Sequence, residues 1–410
     1  MKLIAICSAL VILSTRAPAL VVETNFEGAS AADVKIDESA HSVSFRPAGD
    51  PMRGWPCWWY FKVSDLKPDE TLTLRLRGSS ALMPRSEPKA PLAASWAMPD
   101  QATYSTDGKT WLHTEPGKRE KEWMIYTLKP GAASAFVAWG PPYTPETATE
   151  FVRAMSAKSP HAKAQELCQS RGGRPVPMLR VAEGDRPVEK RFGVWVEARQ
   201  HAWESGSSWV AQGFTEWLLG AEADAAWLRQ HAEIFIVPVM DVDNTAAGNG
   251  GKDELPQDHN RDWSDAPHWT EVATAQRKIG DWVKQGRMDV FLDLHNPAPG
   301  DKKAFFYALP ADLMKEPMLG LRDHFIQVAT QRIGEVFPML DAPKNDGPKY
   351  HPLWRQISGT WVSMNGNPHT VGVCLETSWN TPSSTTTGYR SVGTRLASAV
   401  RAYLGERPVR

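Results

Sequence analysis

The sequence predicts two structural classes in one chain: an N-terminal antiparallel β-sandwich followed by a mixed α/β region. Three observations carry this. Up to about residue 140, short β-prone runs are broken by turn signals with no sustained helical period; beyond it, compact apolar runs alternate with helix-length segments; and Gly140-Pro141-Pro142-Tyr143-Thr144-Pro145 punctuates the change. At about 150 residues per domain, 410 residues suit this division into 20–140 and 141–410, preceded by a short leader, 1–19.

In the first region the strand candidates are Ser42 to Phe45, Trp58 to Val63, Thr71 to Leu76, Ala94 to Met98, Trp123 to Leu128 and Phe136 to Trp139. Lys67-Pro68-Asp69, Thr106-Asp107-Gly108 and Pro130-Gly131 separate them, each a recognised turn former. In the second region the predicted strands are Met178 to Val181, Phe192 to Glu197, Ile234 to Val239, Val290 to Leu294, Phe305 to Ala308 and Val371 to Leu375. Helices are expected at Thr147 to Ser156, Ser208 to Leu219, Trp269 to Lys284, Leu319 to Val336 and Thr394 to Tyr403, and Ser383 to Thr387 reads as a loop. Strands apolar on both faces, interleaved with helices, imply a sheet covered on both sides.

Composition narrows the function. With 46 Lys+Arg against 47 Asp+Glu the net charge is −1, which excludes nucleic-acid binding through bulk charge. The run Lys2 to Ala19, apolar from Leu3 to Leu13 and ending in Ala17-Pro18-Ala19, fits a cleaved secretory leader and is too short for a mature membrane span. An exported protein, periplasmic or extracellular, is therefore expected, with no stable membrane span after cleavage. Cys7 would leave with the leader; Cys57, Cys168 and Cys374 are too few for a disulfide framework.

Chemistry collects just beyond the strands. Phe192 to Glu197 runs into His201-Ala-Trp-Glu204, Val290 to Leu292 into Asp293-Leu-His295, and Val371 to Cys374 into Glu376. Open α/β sheets bind ligands outside the carboxyl ends of their strands, so these groups can share one crevice. His201, Glu204 and His295 make a short pair plus one distant ligand, a set suited to Zn²⁺ with a fourth position open. Asp293 reads as a helix cap or as a carboxylate orienting a histidine. Glu376, closing an apolar strand, can have its pKa raised and act as a general base. Asn260-Arg261 offers an amide beside a planar guanidinium, the geometry that grips a carboxylate. Gly250-Gly251-Lys252 is not a phosphate loop, since Asp253 follows where Ser or Thr is needed.

In order, Arg199-Gln-His201-Ala-Trp-Glu204-Ser-Gly, the segment Asp243 to Trp263, Asp293-Leu294-His295 and Leu375-Glu376-Thr377-Ser378 resemble the M14 zinc carboxypeptidases, in the cytosolic-carboxypeptidase-like (deglutamylase-type) subfamily. Tyr143-Thr144 falls where that subfamily joins its β-sandwich to the catalytic domain. The resemblance implies a mixed eight-stranded α/β zinc-carboxypeptidase domain behind the sandwich and one Zn²⁺ per chain on His201, Glu204 and His295. It implies Glu376 as general base toward a zinc-activated water, and Asn260 and Arg261 as the clamp on the free C-terminal carboxylate of a peptide substrate. Two departures stand out. Where the subfamily has an oxyanion-stabilising arginine, this chain reads Gly250-Gly251-Lys252, so Lys252 is the candidate substitute. Trp354 stands near the place of the family's mobile tyrosine, with Tyr350 close by as a candidate substrate contact.

The preferred reading is thus an exported zinc metallocarboxypeptidase acting on a peptide (or isopeptide) bond. The alternatives are a small-substrate zinc amidohydrolase or deacylase on the same fold, and a non-catalytic peptide- or glycan-binding relative. The preferred C-terminal side chain, the role of the sandwich and the oligomeric state are left open by the residues.

Overall fold

The computed structural model describes residues 19–408. The predicted leader up to Pro18, with Cys7, lies outside the described residues. Ten short strands between Val21 and Ala138 form two five-stranded sheets. One holds Val21–Glu23, Tyr60–Ser64, Ser134–Ala138, Thr103–Ser105 and Leu112–His113 in spatial order; the other holds Ala32–Asp37, Ser42–Arg46, Leu72–Leu76, Trp123–Leu128 and Lys118–Glu120. Leu72-Thr-Leu-Arg-Leu76 buries its three leucines and turns its polar residues outward, as a period of two requires. Phe45 of one sheet meets Phe61 of the other with ring centroids 4.7 Å apart, so the inner faces share one core. Pairing is antiparallel except between Ser42–Arg46 and Leu72–Leu76, which run parallel because Tyr60–Ser64, in the opposite sheet, carries the crossover between them.

One predicted strand is corrected. Ala94–Ala97 is a 3₁₀ turn, and its carbonyls are taken by indole N–H groups rather than by a ladder: Trp59 Nε1 donates to Ala97 O at 2.9 Å and Trp139 Nε1 to Trp96 O at 2.8 Å.

The second region is built on one mixed sheet of eight strands. Their order is Ala162–Gln169, Pro175–Val181, Ala232–Val237, Phe192–Ala198, Met288–His295, Val371–Glu376, Phe305–Ala308 and Lys344–Asn345. The four central strands are mutually parallel. Phe192–Ala198, Ala232–Val237 and Met288–His295 are buried at every position, which is why they stand out as apolar runs. Two strands of this sheet match no predicted run, as do Val21–Glu23, Ala32–Asp37, Thr103–Ser105, Leu112–His113 and Lys118–Glu120 of the sandwich: Ala162–Gln169 is an edge strand with few buried positions, and Lys344–Asn345 is only two residues long. The helix predicted from Thr394 begins at Thr386, inside the patch read as a loop. Thr385 is its N-cap, accepting from Gly388 N at 3.0 Å, so the threonine run starts the helix.

From Phe192–Ala198 the chain crosses to Ala232–Val237 on one side, then returns to Met288–His295 on the other. This reversal is the switch point where an open sheet leaves a crevice at its carboxyl edge. Register places Ala198 beside Leu294 and His295 beside Glu376 there.

Candidate active site

Arg199 ends its strand with φ of 63°, a left-handed conformation unusual for a side-chain-bearing residue, and so turns the chain sharply. Its guanidinium is buried and holds the turn by donating to Tyr143 O at 2.8 Å and to Ala202 O. His201 and Glu204 follow on this turn, just before the Ser205–Leu218 helix. His201 Nδ1 lies 2.9 Å from Glu204 Oε1, and His295 Nδ1 lies 2.6 Å from Glu204 Oε2. The two rings approach to 4.8 Å, and all three residues are buried.

Second partners fix the imidazoles. Asp293 Oδ2 stands 2.9 Å from His295 Nε2 and also accepts from Gln200 Nε2 at 2.6 Å and Ser358 Oγ at 2.5 Å. A proton on Nε2 facing that carboxylate leaves the Nδ1 lone pair pointing at a second carboxylate, an arrangement that calls for a cation between them. His201 Nε2 has no hydrogen-bond partner and faces Asp258 Oδ1 at 3.6 Å. Two nitrogens and two oxygens thus converge, with one ligand atom from each residue within 4.8 Å of the others, and this donor set fits Zn²⁺. Burial pushes the Glu204 carboxyl up, but His201 and then His295 outweigh it and hold it well below the usual range.

The 3₁₀ turn His259–Arg261 brings the predicted clamp to the same place. Asn260 Oδ1 accepts from Ser358 N at 3.0 Å and its Nδ2 reaches His295 Nε2 at 3.2 Å. With the Nε2 proton directed at Asp293, the approach of this amide to the ring is a contact and not a hydrogen bond, and Asn260 is held through Ser358. Arg261 donates to Asn260 O at 2.7 Å and lies 5.6 Å from the Tyr350 ring centroid, while its buried Nε has no partner. No carboxylate pairs with its guanidinium among the described residues.

A cleft of about 240 Å³ opens on this constellation, lined by Glu204, Lys252, Tyr350, Glu376, Trp55 and Tyr307 among others. The Glu376 carboxyl is pushed up to about 8 by burial and then by Glu204, with His295 and Lys252 opposing; its Oε2 has no partner. Of the sequence-predicted residues, Glu204, Lys252, Tyr350 and Glu376 line this cleft, and His201, His295, Asp293, Asn260 and Arg261 stand behind it in contact with one another or with those four. Ser358 belongs to no quoted motif, and Gln200, which lies inside the ligand-turn motif, carries no predicted role there; both hold Asp293. Trp55 and Trp96 on the cleft wall, which come from the sandwich, went unread. Asp258 lies inside the Asp243 to Trp263 segment and carries no predicted role of its own.

A second buried histidine–carboxylate cluster sits behind the clamp. His259 Nε2 lies 2.7 Å from Glu271 Oε1, and its Nδ1 lies 3.2 Å from Glu254 Oε1 and 3.7 Å from Asp241 Oδ2. Asn244 Nδ2 donates to Asp241 at 2.7 Å and Glu254 at 2.9 Å, while Arg53 Nε, from the sandwich, donates to Asn244 Oδ1 at 2.8 Å. Burial works against the His259 imidazolium, but Asp241, Glu254 and Glu271 together raise its pKa well above the ordinary value. Glu254 is pushed up to about 7 by burial and then by Asp241.

The chain is similar to known proteins in part of its sequence and in its fold. Residues 148–280 match the zinc carboxypeptidase family model. An uncharacterised protein of Zymomonas mobilis is 29% identical over 268 residues, 63% of this chain and 63% of its own length. Cytosolic carboxypeptidase 3 of Mus musculus is 22% identical over 305 residues, 67% of this chain and 29% of its own length. The chain thus spans less than two thirds of either relative. A metallo-carboxypeptidase structure from Burkholderia cenocepacia superposes with a TM-score of 0.76 at 20% identity, covering 94% of this chain and 99% of that one, and shows the same fold.

Proposed function

For a chain that carries an M14 zinc carboxypeptidase domain and is homologous to the cytosolic carboxypeptidases, we propose the removal of a C-terminal residue from a peptide bearing a free carboxylate. The observation that carries this is the placement of the clamp turn against both ligand histidines: Asp258 lies 3.6 Å from His201 and Asn260 3.2 Å from His295, with the guanidinium of Arg261, whose Nε has no partner, beside them. The family uses zinc, which would be held by His201, Glu204 and His295 and, when bound, supplies Lewis acidity toward water and the scissile carbonyl.

The chain's own groups do the rest. Arg261 grips the substrate carboxylate through two parallel hydrogen bonds, and an N–H of Asn260 adds a third, which fixes the bond to be cut relative to Glu376. Glu376 takes the proton of the attacking water and returns it to the leaving amine; a carboxyl raised by burial suits both transfers. The Lys252 ammonium stabilises the charge that develops on the carbonyl oxygen, and Tyr350 flanks the clamp.

The test is Glu376→Gln with paired peptides. It should keep fold and zinc while kcat falls on the order of 10³-fold, and wild type should cleave free-acid peptides far better than their C-terminal amides. Equal cleavage of the two peptide forms would overturn the exopeptidase reading, and near wild-type turnover in the variant would remove Glu376 from it.

A further inference from the structure

The sandwich reaches into the catalytic crevice through its Pro51–Pro56 loop. Gly251 N donates to Arg53 O at 3.0 Å, Trp55 N to Lys252 O at 2.9 Å and Leu255 N to Met52 O at 3.0 Å, so this loop and residues 250–255 lie alongside each other like a short ribbon. On the other side, Trp203 N of the ligand turn donates to Gly250 O at 3.1 Å. The glycines fill this gap because nothing larger fits. A Cβ on Gly250 would stand 2.0 Å from Trp55 O; one on Gly251, at φ of 75°, would stand 2.8 Å from Ala202 N and 2.5 Å from Asp241 Oδ2.

Next along the chain, the Lys252 ammonium lies 5.3 Å from the centroid of the Trp55 ring. No carboxylate pairs with it among the described residues, and the cleft it lines also contains Glu204 and Glu376. An indole face attracts a cation without a hydrogen bond or a counter-charge, so it can hold an ammonium in place and leave all three N–H groups for another partner. Trp55 is itself half-buried and packed against Trp96 at 4.4 Å, which fixes the ring plane.

We propose that Trp55 is the positioning residue for Lys252, and that the sandwich is part of the active site because it supplies both this indole and the backbone ribbon that carries the lysine. This rests on the reading of Lys252 as the cation that meets the developing oxyanion. A carboxylate at position 55 would pair with the lysine and quench it; an aliphatic residue would leave it to swing into solvent.

The test uses the full zinc-loaded protein and four variants: Trp55→Leu, which keeps apolar volume without a π face, Trp55→Phe, which restores one, Lys252→Met, and Trp55→Leu combined with Lys252→Met. Trp55→Leu should lower kcat roughly 5- to 30-fold with KM and zinc content little changed, Trp55→Phe should stay within about 3-fold of wild type, and Trp55→Leu in the Lys252→Met background should cost less than about 2-fold. An equal loss in both backgrounds would mean that Trp55 acts without Lys252, and no loss in either would overturn the proposal. Wild-type kcat in Lys252→Met would remove its premise, while inactive Glu376→Gln beside it would leave the carboxypeptidase reading standing. A readout independent of turnover is the ε-methylene resonance of Lys252 in lysine-labelled protein. Ring-current shielding should move it upfield in wild type and Trp55→Phe and release it in Trp55→Leu; an unchanged position in Trp55→Leu would refute the contact even if no peptide were cleaved.

Discussion

Around His295 and around His259 the chain buries the same residue types, a histidine between carboxylates, and both clusters bring ligand atoms within 4.8 Å of one another. Charge separates them. At His259, both ring nitrogens face carboxylates, and the three acidic residues Asp241, Glu254 and Glu271 are met by the imidazolium, by Arg53 at 3.7 Å from Glu254, and by the buried guanidinium of Arg199, which feels Asp241. That tally closes without a metal. At His201 and His295, both Nδ1 atoms aim at the two oxygens of Glu204, while Asp293 faces His295 Nε2, Asp258 faces His201 Nε2 and Glu376 adds a further acid; besides the imidazoles, the cations in reach are Lys252 and Arg261 at the margin. The difference teaches that ligand-type residues in proximity do not define a metal centre; what matters is whether the protein already neutralises them.

The comparison breaks if the two clusters respond alike to mutation. The largest contrast is in metal content: wild type should hold about one zinc per chain, His295→Ala should lose most of it together with activity, and His259→Gln should keep it. Two zinc equivalents in wild type, falling to one in His259→Gln, would erase the distinction. Elemental analysis of purified protein decides this.

A smaller effect sharpens the role of the turn between the clusters. Arg261→Ala removes a bidentate contact to a substrate carboxylate contributing on the order of 2–4 kcal/mol, so kcat/KM for free-acid peptides should fall roughly 30- to 1,000-fold. Amidated peptides, lacking the partner, should lose little more. Lysine at the same position should recover only part of the loss, since it offers charge without the planar fork.

The smallest effect is on stability and its pH dependence. The folded pKa of His259 is raised, so its contribution is full below the ordinary imidazole value and is lost as pH rises through the folded value above it. His259→Gln should lower the apparent Tm by several degrees near neutral pH, as expected when one partner of a buried ion pair costing about 3 kcal/mol is removed. The gap to wild type should narrow as the pH is raised. Parallel Tm curves for the two proteins would show that His259 does not titrate in that range.

How much of this was readable in the sequence depended on distance along the chain. The ligand turn, the clamp and Glu376 could be read because each motif is local and ends an apolar run, and the fully buried strands announced themselves by composition. The edge strand Ala162–Gln169 could not, since its residues alternate weakly and few are buried. Ala94–Ala97 was misread because its small residues and tryptophan suit a strand, whereas indole N–H groups from Trp59 and Trp139 capture its carbonyls. Gln200 and Ser358 act through contacts far along the chain, with Asp293 93 and 65 residues away respectively, so no local pattern assigns them a role. Trp55 joins the cleft by pairing its backbone with Lys252, a contact between regions that the sequence offers no way to align.

The parallel strands that set His201 and Glu204, His295 and Glu376 side by side come from three widely separated stretches, with Val371–Glu376 the last strand of the sheet in chain order. Contacts of such long range form late, because loop closure must precede them. On the proposed mechanism, a chain folded only through Met288–His295 would have its candidate ligands but not Glu376 as base, and one lacking the sandwich loop would have nothing to set Lys252. The proposed peptide cutting would therefore switch on only when the whole polypeptide has closed, which would leave a half-refolded copy harmless to the peptides around it.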